Sequence, residues 1–582
     1  MKTTKLYHVV VLLCLTLFFV LGGKNESSVA NESKPDKPAV QKKSAPATIL
    51  NSQRFHDYIE EFNRNDDEFF KQYYPNDAAW SFLSANIPFF DYPDKDIERA
   101  YYFRWWVFRK HIRLTAEKKF VITEFLPNVS WAGKENTISC AAGHHIREGR
   151  WLWDRQVMED YMYFWLRGGG AVRSYSFWVA EAVRQYALAS GNTELGRELL
   201  DDLVANYEAW EKSRLDPNGL FWQIDDRDGM EISIGGSGYR VTINTYMQMD
   251  AAAIAVFAKL AERSDLAKRF QDKADTIRKQ INEKLWDPKA QFFKVAPRVW
   301  DKSDALVLQP PREEHGYTPW YADPVIPPPE YNAAWKQLLD PDGFFAPFGP
   351  TTLEQRNPQY IRLYGYHKRP INPTKNPEEF DLTKTNPSLL KKACQSNGMS
   401  WPFGTTVTLT GLANLINREV AAGRDTAELL NAYRTTLKIY AHSQYRKTKD
   451  GRTVSWIDEN LNPYTGDWVS RTIREKSGWK VGGGYERGKD YNHSTFCDLV
   501  INGLIGIRPA LGPYVDVFPL VDRNIKYFTL DRVPYHGKSL TIQYDKTGTV
   551  YNNGKGLRIM VDGKEIHRCD TLPEKPLHLR LP

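Results

Sequence analysis

A chain of 582 residues with 42% hydrophobic content is long enough for one large core and a smaller domain, which excludes a peptide-sized or disordered protein. The net charge of +7 comes from lysines and arginines interleaved with acids, so no concentrated basic patch points to nucleic acid. Aromatic content of 13%, with 18 Trp and 31 Tyr, fits two situations: rings stacked on the apolar faces of sugars, or a large core with Trp at helix contacts.

The chain opens as a secretory signal would, over residues 1–23. Lys2 and Lys5 form the basic end, and Val9 to Leu21 is an apolar run shorter than a comfortable membrane span. A secreted or periplasmic location, with no integral membrane span after signal cleavage, is the expectation. Residues 24–50, rich in Lys, Ser, Pro, Ala and Asn, read as a disordered linker. Cys140, Cys394, Cys497 and Cys569 lie far apart, which indicates neither a zinc site nor a disulfide framework.

Helical periodicity begins at Arg54–Tyr74 and resumes at Ile97–Leu114. His144, His145 and Glu148 invite a metal reading, but the spacing is not the i, i+4 pair of a metalloprotease and no third ligand follows. No metal and no cofactor are expected. Arg150-Trp151-Leu152-Trp153-Asp154 precedes the helix Arg155–Leu166, so Asp154 can be a helix cap as readily as a ligand. Helices are predicted over Ser174–Ser190, Thr193–Lys212, Asn244–Arg263, Leu266–Leu285, Thr405–Ala422 and Thr426–Tyr445. Helices paired through long Gly/Pro-rich loops suggest an antiparallel ring of six hairpins, with chemistry in the loops at one end. The triple glycines Gly168–Gly170 and Gly482–Gly484 do not follow strands, so they read as close-approach loops rather than phosphate cradles.

Two loops hold acids in unusual settings. Phe221 to Gly236 contains Asp228-Gly229-Met230-Glu231-Ile232-Ser233, where Glu231 stands between two apolar residues. If such a loop is buried, the carboxyl pKa rises as a general acid requires; the alternative is a solvent-facing acid or a pair with Arg227. Trp456 to Gly466 contains Glu459 beside aromatics and a Pro/Gly turn; an ordinary β-turn with an exposed acid is the alternative. After Pro509 the texture changes to short strands: Tyr514–Leu520, Ile525–Leu530, Leu540–Tyr544, Leu557–Val561 and Leu577–Leu581. The turns Asn553-Gly554 and Asp562-Gly563 separate them.

Together the two loops resemble the six-hairpin glycosidases related to trehalase, the family sixty-three processing α-glucosidases and mannosylglycerate hydrolase. Residues Asp228 to Ser233 match a family loop of the kind SGMDNSP, with Glu231 in place of the aspartate and Asp228 as reserve candidate. Glu459-Asn460-Leu461-Asn462-Pro463-Tyr464-Thr465-Gly466 matches ENYNPxTG. Gly398-Met399-Ser400-Trp401-Pro402 with Leu412-Ala413-Asn414-Leu415 is similar to GPVWP…ALANLL. Tyr491-Asn492-His493-Ser494 stands where relatives enter the last barrel helix.

The resemblance covers roughly residues 96–509. It implies a mainly α fold, an (α/α)6 toroid over 51–509, followed by a small β-sandwich-like domain over 510–582. It also implies an exo-acting, anomer-inverting monomeric hydrolase, with Glu231 as acid, Glu459 as base and carboxyls about 6.5–9.5 Å apart. Asp154 and Arg173 are implied to hold sugar hydroxyls, Trp151, Trp153 and Trp401 to pack against the sugar, and Asp228 and His493 to line the site. Two other functions fit the same features: a polysaccharide lyase acting on a uronate through Tyr and His, and a non-catalytic glycan-binding toroid.

Overall fold

The computed structural model describes residues 48–299, 306–361, 396–477 and 483–582. The proposed signal, nearly all of the linker, Cys394 and Gly482 lie outside the described residues.

Helices alternate between two kinds. Ser139–Gly149, Val179–Ser190, Val241–Leu260 and Pro402–Ala421 are buried on nearly every side. Arg155–Leu166, Leu200–Arg214, Ser264–Lys284 and Ala427–His442 bury one face and wet the other. Val241–Leu260 packs against neighbours of both kinds: the buried Val179–Ser190 and the half-wet Leu200–Arg214 and Ser264–Lys284. An inner ring sheathed by an outer one is a mainly α toroid: inner helices have no wet face, so their polar residues are bonded inward, as Arg147 is to Asp498. Close approach depends on glycine. A Cβ at Gly143 would land on the Trp178 ring, and one at Gly196 on Phe257.

Several boundaries differ from the periodicity. The first helix stops at Arg64, and 65–75 runs irregularly because Asp66 turns inward to Lys110 and Lys489. The helix expected over Thr193–Lys212 breaks at Leu199 into Thr193–Glu198 and Leu200–Arg214. The last apolar segment is a π-type helix over Leu499–Leu504. Helices Ser139–Gly149 and Val469–Ser477 are additional to the sequence reading.

The C-terminal β domain contains a five-stranded antiparallel meander in which Tyr527–Tyr535, Lys538–Asp545, Gly556–Val561 and Lys564–Cys569 follow one another. Phe89–Asp91, which precedes helix Lys95–Lys110, adds to its edge through Phe89 opposite Asp531. The turn Asp562-Gly563 has positive φ at both residues (51° and 76°), which a two-residue hairpin demands. Ile507–Pro509, Tyr514–Val517 and Leu577–Arg580 form a second sheet.

Candidate active site

The loops that precede the inner helices converge on one cavity of about 290 Å³. Glu124 and Phe125 come from the turn after strand Phe120–Ile122, and Trp131 from the loop beyond it. Cys140 and Phe403 sit in the first turns of their helices. Glu231 and Glu459 both line this cavity, together with Trp401 and His493.

Glu231 is carried by a loop clamped from behind. Asp228, fully buried, accepts from Arg240 Nε (2.6 Å), Ser176 Oγ (2.5 Å) and the Thr242 hydroxyl. Arg240 Nη1 reaches across to Ser233 Oγ (2.9 Å) and the Gly236 carbonyl (2.6 Å), so one ion pair ties both ends of 228–236. Glu313 braces the far side by accepting from the backbone N–H of Ile234 (2.7 Å) and Gly235 (3.1 Å). Beyond the half-buried Glu231, Ile232 takes φ 55°, a left-handed conformation that a β-branched residue adopts only when its surroundings impose it.

Glu459 is held differently. Its Oε2 receives Arg474 Nη1 at 2.8 Å and lies 3.6 Å from Arg487 Nη2. Its Oε1 accepts no hydrogen bond among the described residues, which leaves that oxygen for a cavity water. Asp458 next to it is sealed in. Burial opposes its charge, but Arg474 and Arg471 outweigh burial and hold its carboxyl below the usual range. Gly488 makes this arrangement possible, since a Cβ there would occupy the positions of Asp458 Oδ1 and Arg474 Nη2.

Two polar side chains in the wall are under-bonded among the described residues. His493 is 2% exposed and neither ring nitrogen finds a hydrogen bond among the described residues; burial pushes its pKa well below the usual value, so it is neutral. It packs on Tyr491, with ring centres 4.0 Å apart. The Trp401 indole N–H is likewise unmatched. Trp131, 37% exposed, stands at the edge of the cavity against Phe125, with Arg487 over its face at 4.9 Å.

Other residues singled out in the sequence stand away from this lining. Trp151 is fully buried and donates Nε1–H to Asp498 (2.7 Å), within a cluster that includes Arg147 and Arg150. Trp153 donates to the Arg532 carbonyl (2.9 Å), joining the helical ring to the C-terminal sheet. Asp154 caps Arg155–Leu166 by accepting from Gln156 N–H. Arg173 is exposed and donates to Asn206 Oδ1 (2.9 Å). Asp228 lies behind Glu231 rather than in the cavity. His144 is enclosed by Trp178, Tyr321 and Phe403, and no group of metal-ligating side chains occurs among the described residues.

Glu124, Arg487, Trp131, Phe403 and Tyr175 line the cavity without having been singled out. Tyr491 was named only as part of a motif. A carboxyl in Thr-Glu-Phe-Leu-Pro shows no pattern along the chain; its surroundings come from residues some 360 positions later, as in the Tyr491–Glu124 hydrogen bond (separation 367).

Residues 134–494 match the family model of the mannosylglycerate hydrolase MGH1-like glycoside hydrolase domain. A solved structure named sialidase is 36% identical, covering 91% of this chain and 45% of that one, with a TM-score of 0.77. This chain therefore spans less than half of that protein's length. A GH63 mannosylglycerate hydrolase from Thermus thermophilus, in complex with glucose, is 15% identical over 57% of this chain and 76% of its own, with a TM-score of 0.38. A GH78 family rhamnosidase of Bacillus sp. GL1 is 12% identical over 81% of this chain and 41% of its own, with a TM-score of 0.46.

Proposed function

Because this chain belongs to the mannosylglycerate hydrolase MGH1-like glycoside hydrolase family, we propose that it is an exported, exo-acting hydrolase that inverts the anomeric carbon, with Glu231 as general acid and Glu459 as general base. The observation that carries the reading is the convergence of these two side chains on one cavity, from loops more than two hundred residues apart.

In this mechanism Glu231 protonates the leaving glycosidic oxygen. Glu459 takes a proton from a water that attacks the opposite face of the sugar. The guanidinium of Arg474 fixes Glu459 Oε2 and leaves Oε1 to the water, so the base needs little reorganisation before proton transfer. Trp131 offers a ring face for the leaving portion of the substrate. His493 and the Trp401 N–H offer a polar atom each to its hydroxyls.

One feature supports a narrower substrate class. The cavity is at the small end of ligand pockets, which run from roughly 300 to 1,000 Å³. That size suits removal of a terminal sugar better than binding of a long chain.

The test is a panel of aryl glycosides and oligosaccharides, with the first-formed anomer read by NMR. Inversion with release of a terminal sugar is expected. Retention, or an unsaturated product formed by elimination, would overturn the proposal.

A further inference from the structure

We propose that Glu124 is a third substrate-facing carboxyl of this cavity, a recognition group that donates a hydrogen bond to a ring hydroxyl of the sugar while Glu231 and Glu459 carry out cleavage. The inference rests on the hydrolase reading of those two residues.

Glu124 is 5% exposed and lines the same cavity. Its position is fixed from one side only. Tyr491 Oη donates to Oε1 at 2.6 Å, Asn492 N–H donates to the Glu124 carbonyl (3.1 Å), and Asn492 Nδ2 donates to the Thr123 carbonyl (3.3 Å). Among the described residues no lysine or arginine hydrogen-bonds this carboxyl, and Oε2 accepts no hydrogen bond. Glu459 provides the contrast, with Arg474 bonded to it and Arg487 beside it.

The four carboxyls that line this small cavity, Glu124, Asp226, Glu231 and Glu459, do not all ionise cheaply. Besides the general acid Glu231, the carboxyl that keeps its proton is Glu124, to which no cation hydrogen-bonds among the described residues. Burial pushes its pKa up most; the Tyr491 hydrogen bond works against that, Glu231 and Glu459 add to it, and Arg487 opposes it, leaving a value of about 8. Cys140 at the start of Ser139–Gly149, Tyr161 of Arg155–Leu166 and Tyr175 ahead of Val179–Ser190 also sense this charge. Burial raises their own values, so each is neutral at pH 7.

With Oε1 already accepting from Tyr491, the acid proton belongs on Oε2. The cavity then presents a donor at this point among acceptors. A sugar hydroxyl oxygen is the partner such a donor selects. An ionised Glu124 would instead present a second acceptor and repel Glu459.

The experiment uses the full chain as wild type, Glu124→Gln, Glu124→Leu and Tyr491→Phe. Infrared difference spectra between pH 6 and pH 10, without substrate, should show a protonated carboxyl lost near pH 8. That band should be absent from Glu124→Gln and shifted to higher pH in Tyr491→Phe, which lacks the opposing hydrogen bond. On the p-nitrophenyl glycoside that the wild type hydrolyses fastest, KM should rise above pH 8 in the wild type and not in Glu124→Gln. Glu124→Leu should raise KM by tenfold or more with kcat changed less than threefold.

A carboxyl already ionised at pH 6, or wild-type KM in Glu124→Leu, would overturn the proposal. The hydrolase reading fails by a different sign, full turnover in Glu459→Gln, and the infrared band does not depend on it.

Discussion

Replacing Asp228 with alanine separates a structural clamp from a catalytic acid. Asp228 and Arg240 are both buried, 2.6 Å apart, and no water reaches the pair. Removing one partner of such a pair costs about 3–5 kcal/mol, because the remaining charge stays buried. Arg240 keeps its bonds to Ser233 and Gly236, which places the expected loss nearer ~3 kcal/mol. Equilibrium urea denaturation followed by tryptophan fluorescence reads this directly. Activity should fall as well, because the loop from 228 to 236 loses its tie and Glu231 moves. A misplacement of about 1 Å costs on the order of a hundredfold in rate. Asp228→Asn, whose amide oxygen still accepts from Arg240 and Thr242 while its NH2 faces Ser176, should be milder on both counts. Wild-type stability in Asp228→Ala would refute the clamp. A well-folded Asp228→Asn variant with no turnover would move the acid from Glu231 to Asp228.

Trp131→Ala should raise KM two- to tenfold with kcat nearly unchanged, the equivalent of about 0.5–1.5 kcal/mol of ring contact, as measured by Michaelis kinetics. Gly488→Ala should destabilise by about 1–3 kcal/mol and lower kcat at least tenfold, because the added methyl displaces Arg474 from Glu459; a thermal melt and a rate assay check it. Glu124 makes stability depend on pH with an uncommon sign for a carboxyl. Its folded value, about 8, exceeds the unfolded one, so its contribution is complete below the ordinary value near 4.5 and is lost as pH rises through about 8. Denaturation midpoints of wild type should fall over that range relative to Glu124→Gln, and parallel curves would contradict the assignment.

The outer helices were legible because one face is wet. Arg155–Leu166 begins and ends where its apolar spacing and Asp154 cap indicate. Ser139–Gly149 was not: it is short and buries His144, His145, Arg147 and Glu148, so it lacks the long apolar run that marks Val241–Leu260 and Pro402–Ala421. The strand Lys564–Cys569 hid for the opposite reason: as a polar edge strand it lacks an apolar alternation. In the candidate site, Glu231 and Glu459 stood out through glycine- and proline-rich loops and through resemblance to a motif. Trp151 and Trp401 looked alike in sequence, yet one is bonded to Asp498 in the core and the other borders the cavity. Aromatic density gives no information on which side of a wall a ring will face. Glu124 became visible only when the fold brought Tyr491 and two other carboxyls to it.

The division of labour between Glu231 and Glu459 is tested most directly by two variants on two leaving groups. With a dinitrophenyl glycoside, whose leaving oxygen needs no proton, Glu231→Gln should retain most of its rate, while on an unactivated disaccharide of the same sugar it should lose nearly all of it. Glu459→Gln should be inactive on both. Equal losses for Glu231→Gln on the two substrates, or turnover by Glu459→Gln on either, would contradict the assignment of acid and base.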